Sequence, residues 1–481
     1  LQKVELLGEC VPPGTQVLTK NKSWINIEEV HPGEEIFSLN PETYEIEIEE
    51  VEKTIRKPYK DKLVHIKNKS LDMMVTKNHV VLLWDRNDKP YEMKAIDLYT
   101  ALKENNSKVH HSHIRRGGIW EGYDSEWIKG NIKAEDWAAF MGIYLAEGHC
   151  AGTKGGEKRT LVGITQNPGE RQDKIKELLD KLPFDFKLQK NNRQFTSTNA
   201  WLYNELFALG SSKEKYIPQY AKEWSPCLLN IVLDWMLMGD GKNRKNRKGE
   251  ILRELATISP RLADDTQEIM LKLGSGGSIS FRQPEDRLIE GRLIKKENQN
   301  ILHIIHEHTT KGSWLSKDTE ANLVDYDGEV FCVTAPKNKT WLMRYNNSVC
   351  WTHNCDHPDD AIVSLSNVSH IVRESWWNGD EVMGKVEILN TPKGKIIQEL
   401  LSSGVKVGIS SRGVGETQKN NEGFDVVDES FVLVAFDIVS EPSTHGAYLH
   451  EGKNISLEDF KKSISKNDRI NRAVNDILGK K

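Results

Sequence analysis

The sequence predicts a multidomain protein: an all-β domain split by an inserted α+β domain, followed by a partial, mainly-β to α+β segment. Three observations predict it. Residues 10 to about 105 carry short strand patterns broken at Pro32-Gly33 and Asn40-Pro41, with alternation in Tyr44-Glu45-Ile46-Glu47-Ile48-Glu49 and Leu63-Val64-His65-Ile66. Beyond residue 130 the texture turns helical, and an apolar helix ending in an acid and then Gly occurs twice, at Trp137–Gly148 and Leu233–Gly241. Strand patterns then return at Val330–Thr334 and Thr340–Arg344. The length, 481 residues, accommodates about two to four domains.

The expected segments are 1–9, a short leading piece; 10–105, the first part of the β domain; 106–130, a linker; 131–305, the inserted domain; 306–354, the rest of the β domain; 355–455, the following segment; and 456–481, a Lys-rich tail, helical or disordered. Within the linker, His110-His111-Ser112-His113-Ile114-Arg115-Arg116-Gly117-Gly118 reads as solvated chain rather than as a metal site. Six Cys (10, 150, 227, 332, 350, 355) form no C-x-x-C pair, which argues against a zinc site or disulfide framework and for a reducing compartment. No run approaches a membrane span and no signal peptide opens the chain, so a soluble intracellular protein without a membrane partner is expected. The absent initiator Met suggests a fragment, and the net charge of −5 says little about partners.

Reactive residues gather at the two edges of the split β domain. Cys10-Val11-Pro12-Pro13-Gly14-Thr15-Gln16-Val17-Leu18-Thr19 opens it with a Cys, a turn and a β-like run. Thr76-Lys77-Asn78-His79 lies between apolar strands Met73–Val75 and Val80–Trp84, and His353-Asn354-Cys355 closes it. A thiolate is a good nucleophile towards the preceding carbonyl, and an Asn side-chain amide can attack its own carbonyl to give a succinimide. These blocks, in this order, resemble the N-terminal, T-x-x-H and C-terminal splicing blocks of inteins, the Hint fold family.

The resemblance implies a horseshoe-like β fold and excision of residues 10–354 without a cofactor. Cys10 would attack the Glu9 carbonyl and form a thioester, with His79 protonating the departing amide nitrogen and Thr76 hydrogen-bonding at the same peptide. Cys355 would take residues 1–9 onto its own sulfur. Asn354 would then cyclise, helped by His353, and an S-to-N shift would join Glu9 to Cys355. Lys339 stands where many inteins carry a further His. Cys332 stands where many carry Asp, and reads equally as an auxiliary acid or a buried structural cysteine.

The duplicated helices resemble the LAGLIDADG, or dodecapeptide, homing endonucleases in their single-chain, two-motif form, built from αββαββα repeats. The plainer reading, two buried helices ending at Gly caps, is the alternative. Small residues at Gly142, Ala146 and Gly239 would let the helices approach closely, so that Glu147 and Asp240 converge to hold Mg²⁺ against scissile phosphates. Trp235 departs from the small residue usual at its position. Lys154, Lys158 and Arg159 after the first motif, and Lys242, Arg244, Lys245, Arg247 and Lys248 after the second, fit phosphate contacts better than a merely solvated loop. Thr257–Gly274 reads as a strand and a helix with a Gly stop. The implied partner is double-stranded DNA, by family habit the uninterrupted host gene, bound by a monomer.

Joining Glu9 to Cys355 produces Gly8-Glu9-Cys355-Asp356-His357-Pro358, and Val405–Gly415 follows downstream. Together these resemble the prohead core proteases of T4-like phages. That resemblance implies His357 as base and Ser411 as nucleophile, with Ser410 its rival; Asp437, in an apolar strand, is the candidate for orienting His357. It also implies capsid and scaffold proteins as partners, a phage-infected cytoplasm and then the prohead as location, and a chain that lacks most of the protease's N-terminal half. Trp376–Asp380 reads as a hairpin turn, and Thr391-Pro392 opens a helix that Gly404 ends. Competing expectations are an intein with an inactive endonuclease, a Hint domain used only for cleavage, and an intact protease with an insertion.

Overall fold

The computed structural model describes residues 10–107, 109–128, 131–154, 157–245, 249, 251–289, 292–296, 300–308, 312–354, 368–378, 381–414, 417–419, 425–427, 432–439 and 447–449. The chain divides into two compact units, Gly8–Asp356 and a second comprising Leu1–Leu7 with His357–Lys481.

In the first unit, one sheet places strands in the order Ser348–His353, Thr340–Tyr345, Gln16–Thr19, Glu35–Leu39 and Ile46–Glu50, with Ser23–Asn26 paired to Gln16–Thr19. The first strand after Cys10 therefore runs beside the last strands before Asn354, with Gln16 opposite Arg344 and Val17 opposite Met343. Lys53–Asn68 pairs antiparallel with Glu320–Thr334 along its length, and Leu71–Thr76 joins it on the other edge. Alternation explains this ribbon: Leu63, Val64 and Ile66 are buried at its inner end, while the Lys- and Glu-rich outer end stays solvated.

The segment expected to be a solvated linker is largely core. His113–Arg115 forms a strand between Val80–Trp84 and Gly312–Trp314, and Ser112, His113, Arg115 and Arg116 are buried. Their polarity is accommodated locally. The His113 ring lies 4.7 Å from that of Trp314 and 6.2 Å from that of Trp84, and the Arg115 guanidinium sits 3.8 Å over Tyr44. Arg116 donates to the Ser70 and Gly312 carbonyls at 3.4 and 3.3 Å. Burial pushes the His113 pKa down to about 4, so the ring is neutral near pH 7.

The insertion contains two repeats. Helix Ala134–Glu147 is followed by strands Gly148–Lys154 and Glu157–Thr165, helix Glu170–Lys181, strands Lys187–Leu188 and Gln194–Ser197, and helix Ala200–Phe207. Helix Pro226–Asp240 is followed by strands Gly241–Lys245 and Ile251–Thr257, helix Pro260–Lys272, and strands Gly277–Arg282 and Leu302–Glu307. Ser225 caps the second motif helix by accepting from Leu228 N–H, with Pro226 in its first turn. The helix read in Thr257–Gly274 starts at the Ser259 cap, and Gly274 follows it at φ +81°.

Helix Pro260–Lys272 also joins the insertion to the β domain. Arg344 donates to Asp264 at 2.5 Å and to Gln267 at 3.1 Å, and Lys272 lies 4.9 Å from the Phe37 ring. Beneath it, Glu268 accepts from Lys222 (2.9 Å) and Lys272 (2.8 Å), and Asp265 accepts from Lys222 (3.0 Å), all four side chains being buried.

In the second unit, His370–Asn378 and Glu381–Ile388 form the expected hairpin, with Asn378 opposite Glu381. Thr391 caps helix Pro392–Ser402 by accepting from Gly394 N–H (3.0 Å), and Gly404 follows at φ +76°. Gly408–Val414 pairs antiparallel with Val432–Val439. The Lys-rich tail lies outside the described residues.

Candidate functional sites

Cys10 is held by backbone pairing on both sides. Val11 and Phe331 exchange N–H···O bonds of 2.8 and 2.9 Å, while Thr76 N–H donates to the Cys10 carbonyl at 2.9 Å. Cys10 N–H donates to Thr76 Oγ1 at 3.0 Å, placing the hydroxyl on the amide that splicing would cleave. His79, three residues on, is buried; its N–H donates to the Thr76 carbonyl (3.1 Å) and its carbonyl accepts from Ala95 N–H (2.8 Å). Its Nε2 is hydrogen-bonded to Thr352 Oγ1 at 2.5 Å. Sequence reasoning passed over Thr352, which reads there as one more strand residue.

At the other junction, His353 Nδ1 donates to the Asn354 carbonyl oxygen at 2.9 Å, the carbonyl that cyclisation would attack. Asn354 Nδ2 donates to the Ala335 carbonyl (2.7 Å), and Asn354 N–H donates to the Lys339 carbonyl (2.8 Å). Lys339, where a further His was the family pattern, thus supports Asn354 through its backbone, in a positive-φ turn (φ +56°). Cys332 is 1% exposed, packs in one cluster with Cys10, Leu63 and Val330, and donates weakly to the Val333 carbonyl at 3.5 Å. Cys355 lies outside the described residues.

The motif helices pack where the small residues are. A Cβ on Gly142 would lie 2.5 Å from the Val232 carbonyl oxygen and 2.7 Å from Trp235 Cβ; one on Gly239 would lie 2.5 Å from Ala146 Cβ. Trp235 is accommodated because it is its Cβ that faces Gly142. Gly148 and Gly241, which follow the acids, have φ of −83° and −131° rather than left-handed cap geometry. They are needed for space, since a Cβ at Gly148 would lie 2.2 Å from the Tyr144 ring and one at Gly241 2.7 Å from Leu237 Cα.

Glu147 and Asp240 meet at the ends of these helices. Burial raises both carboxyl pKa values, and the neighbouring Asp240 charge raises that of Glu147 further. Lys215, which sequence reading did not single out, is buried against them and donates to the carbonyls of Tyr144 (2.8 Å), Leu145 (2.9 Å) and Gly148 (2.7 Å). Burial pushes its pKa down to about 8, against the pull of both acids. Two neighbouring desolvated carboxylates fit a divalent cation, whose charge would favour the ionised form of both. Among the described residues no group of three or more His, Cys, Asp or Glu is placed to hold a metal.

The basic residues are unequal. Lys242 pairs with Glu254 (2.9 Å), Arg244 donates to the Glu307 carbonyl (3.0 Å), and Lys245 is exposed. Lys154 lies on strand Gly148–Lys154, and Lys158 and Arg159 on its partner Glu157–Thr165. Arg247 and Lys248 lie outside the described residues.

In the second unit Ser410 stands opposite Asp437 and Ser411 opposite Phe436. Both Asp437 oxygens accept from Arg412, at 2.7 and 3.2 Å, so the carboxylate expected to orient His357 is engaged by the arginine beside the serines. His357 lies outside the described residues. His370 reaches the same strand pair, hydrogen-bonding the Phe436 carbonyl through Nε2 at 2.9 Å.

A family model described as prohead core protein serine protease matches residues 347–458. The prohead core protein protease of Enterobacteria phage T4 is 32% identical over 98 residues, 20% of this chain and 46% of that one. The ATP-dependent Clp protease proteolytic subunit of Chlamydomonas moewusii is 24% identical over 309 residues, 59% of this chain and 29% of that one. A DNA polymerase of Methanocaldococcus jannaschii is 23% identical over 417 residues, 75% and 23% respectively. The chain thus spans less than half the length of each of these curated relatives.

Similar solved structures include a splice-inactive AceL NrdHF class 3 split intein, at 9% identity and TM-score 0.25, over 72% of this chain and 99% of that one. They also include I-DmoI in complex with DNA and Mn, at 13% identity and TM-score 0.26, over 36% and 89%. A prohead core protease is thus among the proteins this chain is similar to, and an intein and a homing endonuclease are among the similar solved structures.

Proposed function

We propose that residues 10–354 excise themselves by protein splicing, carry a divalent-metal DNA endonuclease, and interrupt a prohead serine protease. The observation that carries this reading is that the two junctions are equipped in one β domain: Thr76 on the Cys10 amide at 3.0 Å, and His353 on the Asn354 carbonyl at 2.9 Å. Every buried backbone N–H and C=O needs a partner; here the partners are side chains, a hydroxyl and an imidazole, set on the two bonds that splicing would break.

In this mechanism the Cys10 sulfur adds to the Glu9 carbonyl, and the C–N bond breaks as His79 delivers a proton to the Cys10 nitrogen. Thr76 orients that nitrogen. Cys355 displaces the Cys10 sulfur, and the Asn354 side-chain nitrogen then attacks its own carbonyl carbon. That nitrogen is aimed by Ala335, and charge on the carbonyl oxygen is met by His353 Nδ1–H. The released amine of Cys355 takes the acyl group from its own sulfur.

Glu147 and Asp240 would hold Mg²⁺, which supplies Lewis-acid stabilisation of the phosphate oxygens and a more acidic water. Lys215 would offset negative charge at the same place, and the strands carrying Lys154, Lys158, Arg159, Lys242, Arg244 and Lys245 would lie along double-stranded DNA. The DNA would be the uninterrupted host gene and the endonuclease a monomer. In the joined product His357 and Ser411, with Ser410 as rival, would be base and nucleophile towards capsid and scaffold proteins in the prohead. Asp437, which accepts from Arg412, would orient His357.

Mass spectrometry of the expressed chain tests splicing. The expected products are residues 1–9 joined to 355–481 and a succinimide-ended 10–354; an intact chain under folding conditions contradicts the reading. Mg²⁺-dependent cleavage of DNA carrying the joined gene, lost in Asp240→Asn, tests the endonuclease.

A further inference from the structure

We infer that Thr352 is a positioning residue for the first splicing step, acting on the N-terminal junction through His79; this rests on the splicing reading above. Thr352 belongs by sequence to the other junction, two residues before Asn354 on strand Ser348–His353. In space its hydroxyl meets His79 Nε2 at 2.5 Å, with both side chains buried. Alternation along the strand separates the tasks: Thr352 points to one side towards His79, and His353 to the other, onto the Asn354 carbonyl.

The contact matters because of what His79 must do. To protonate the Cys10 nitrogen as the amide breaks, the imidazole has to present a proton there and be left neutral. A threonine hydroxyl suits both states, since it accepts from Nε2–H of the imidazolium and from the same Nε2–H of the neutral ring left after transfer. Holding that proton on Nε2 makes the Nδ1 proton the one delivered, which sets the tautomer as well as the ring orientation. The histidine backbone is already held by Thr76 and Ala95, so the contact from Thr352 bears on the ring torsions.

The test uses the full chain. In a Thr352→Val variant, release of residues 1–9 by added thiol should slow at least tenfold, and its pH–rate profile should shift. Cleavage after Asn354, measured in a Cys10→Ala background, should stay within twofold. Thr352→Ser, which restores the hydroxyl, should return thiolysis to within threefold and restore the profile. Three results overturn the inference: Thr352→Val reacting with thiol at the unsubstituted rate, both junctions slowing by the same factor, or Thr352→Ser behaving like Thr352→Val. A failure of the splicing reading looks different: the unsubstituted chain then releases neither fragment, and this inference falls with it.

Discussion

Cys10 and Thr76 exchange two hydrogen bonds: Cys10 N–H to Thr76 Oγ1 at 3.0 Å, and Thr76 N–H to the Cys10 carbonyl at 2.9 Å. Thr76→Val keeps the second and deletes the first, leaving a buried amide short of one acceptor. The loss of about 1.4 kcal/mol of orientation at the reacting nitrogen corresponds to about a tenfold slower thiolysis of residues 1–9. Timed thiol treatment followed by mass spectrometry checks this, and an unchanged rate would show that Thr76 serves only the fold.

His353 lies at the opposite junction, with Nδ1 on the Asn354 carbonyl oxygen. His353→Ala should slow cleavage after Asn354 by about a hundredfold, the lower end of general acid–base contributions. Thiolysis at Cys10 should continue, because Cys10, Thr76 and His79 stay in place. Asn354→Ala should go further and trap the branched chain, visible as a slowly migrating band on a denaturing gel.

The paired acids imply a conflict between stability and function. Glu147 and Asp240 both have carboxyl pKa values raised in the fold, so the folded state holds protons that the unfolded state has released. The associated penalty is absent below the ordinary carboxylate range and develops as pH rises through the raised folded values. Asp240→Asn should therefore raise the metal-free melting temperature at neutral pH by about 2 °C, a gain that vanishes on acidification. Mg²⁺ should stabilise the unsubstituted protein and not the variant. Calorimetry with and without metal at two pH values tests both statements.

Glu268 lies between two buried ammonium groups, Lys222 at 2.9 Å and Lys272 at 2.8 Å. Glu268→Gln leaves them underpaired and should destabilise this unit by about 3 kcal/mol. Since the same helix carries Asp264 and Gln267 to Arg344, splicing should weaken along with DNA cleavage. Removing residues 131–305 outright should leave Arg344 without those partners, and adding Arg344→Ala should restore part of the splicing yield. Urea unfolding and splicing yield, read on the same variants, check this.

Much of the site was legible because its chemistry needs particular atoms at particular points of the chain. The proposed chemistry asks for a nucleophile after the first scissile carbonyl, an Asn before the second junction and an acid at the close of each motif helix, and all four stand in the sequence. The partners were less legible. Lys215 lies in a loop with no pattern of its own, and its placement under three carbonyls at the end of a distant helix follows from packing alone. The misread 110–118 segment fails for the same reason: its His and Arg residues look solvated until Trp84, Trp314 and Tyr44 arrive from distant strands to cover them.

The sequence by itself determined where the candidate nucleophile, cyclising amide and metal acids stand along the chain, because these are chemical types that neighbours cannot replace. It also marked the close-packed helix pair, since Gly142 and Gly239 are where backbone must pass backbone. Only the tertiary structure decided how those groups are oriented. Which hydroxyl meets His79, which carbonyl aims Asn354 and which helix ties the insertion to the β domain all depend on strands far apart in the chain. A hydrogen bond of 2.5 Å between His79 and Thr352, 273 residues apart, leaves no local trace in composition or periodicity. Such contacts form only when long-range register brings the two strands together.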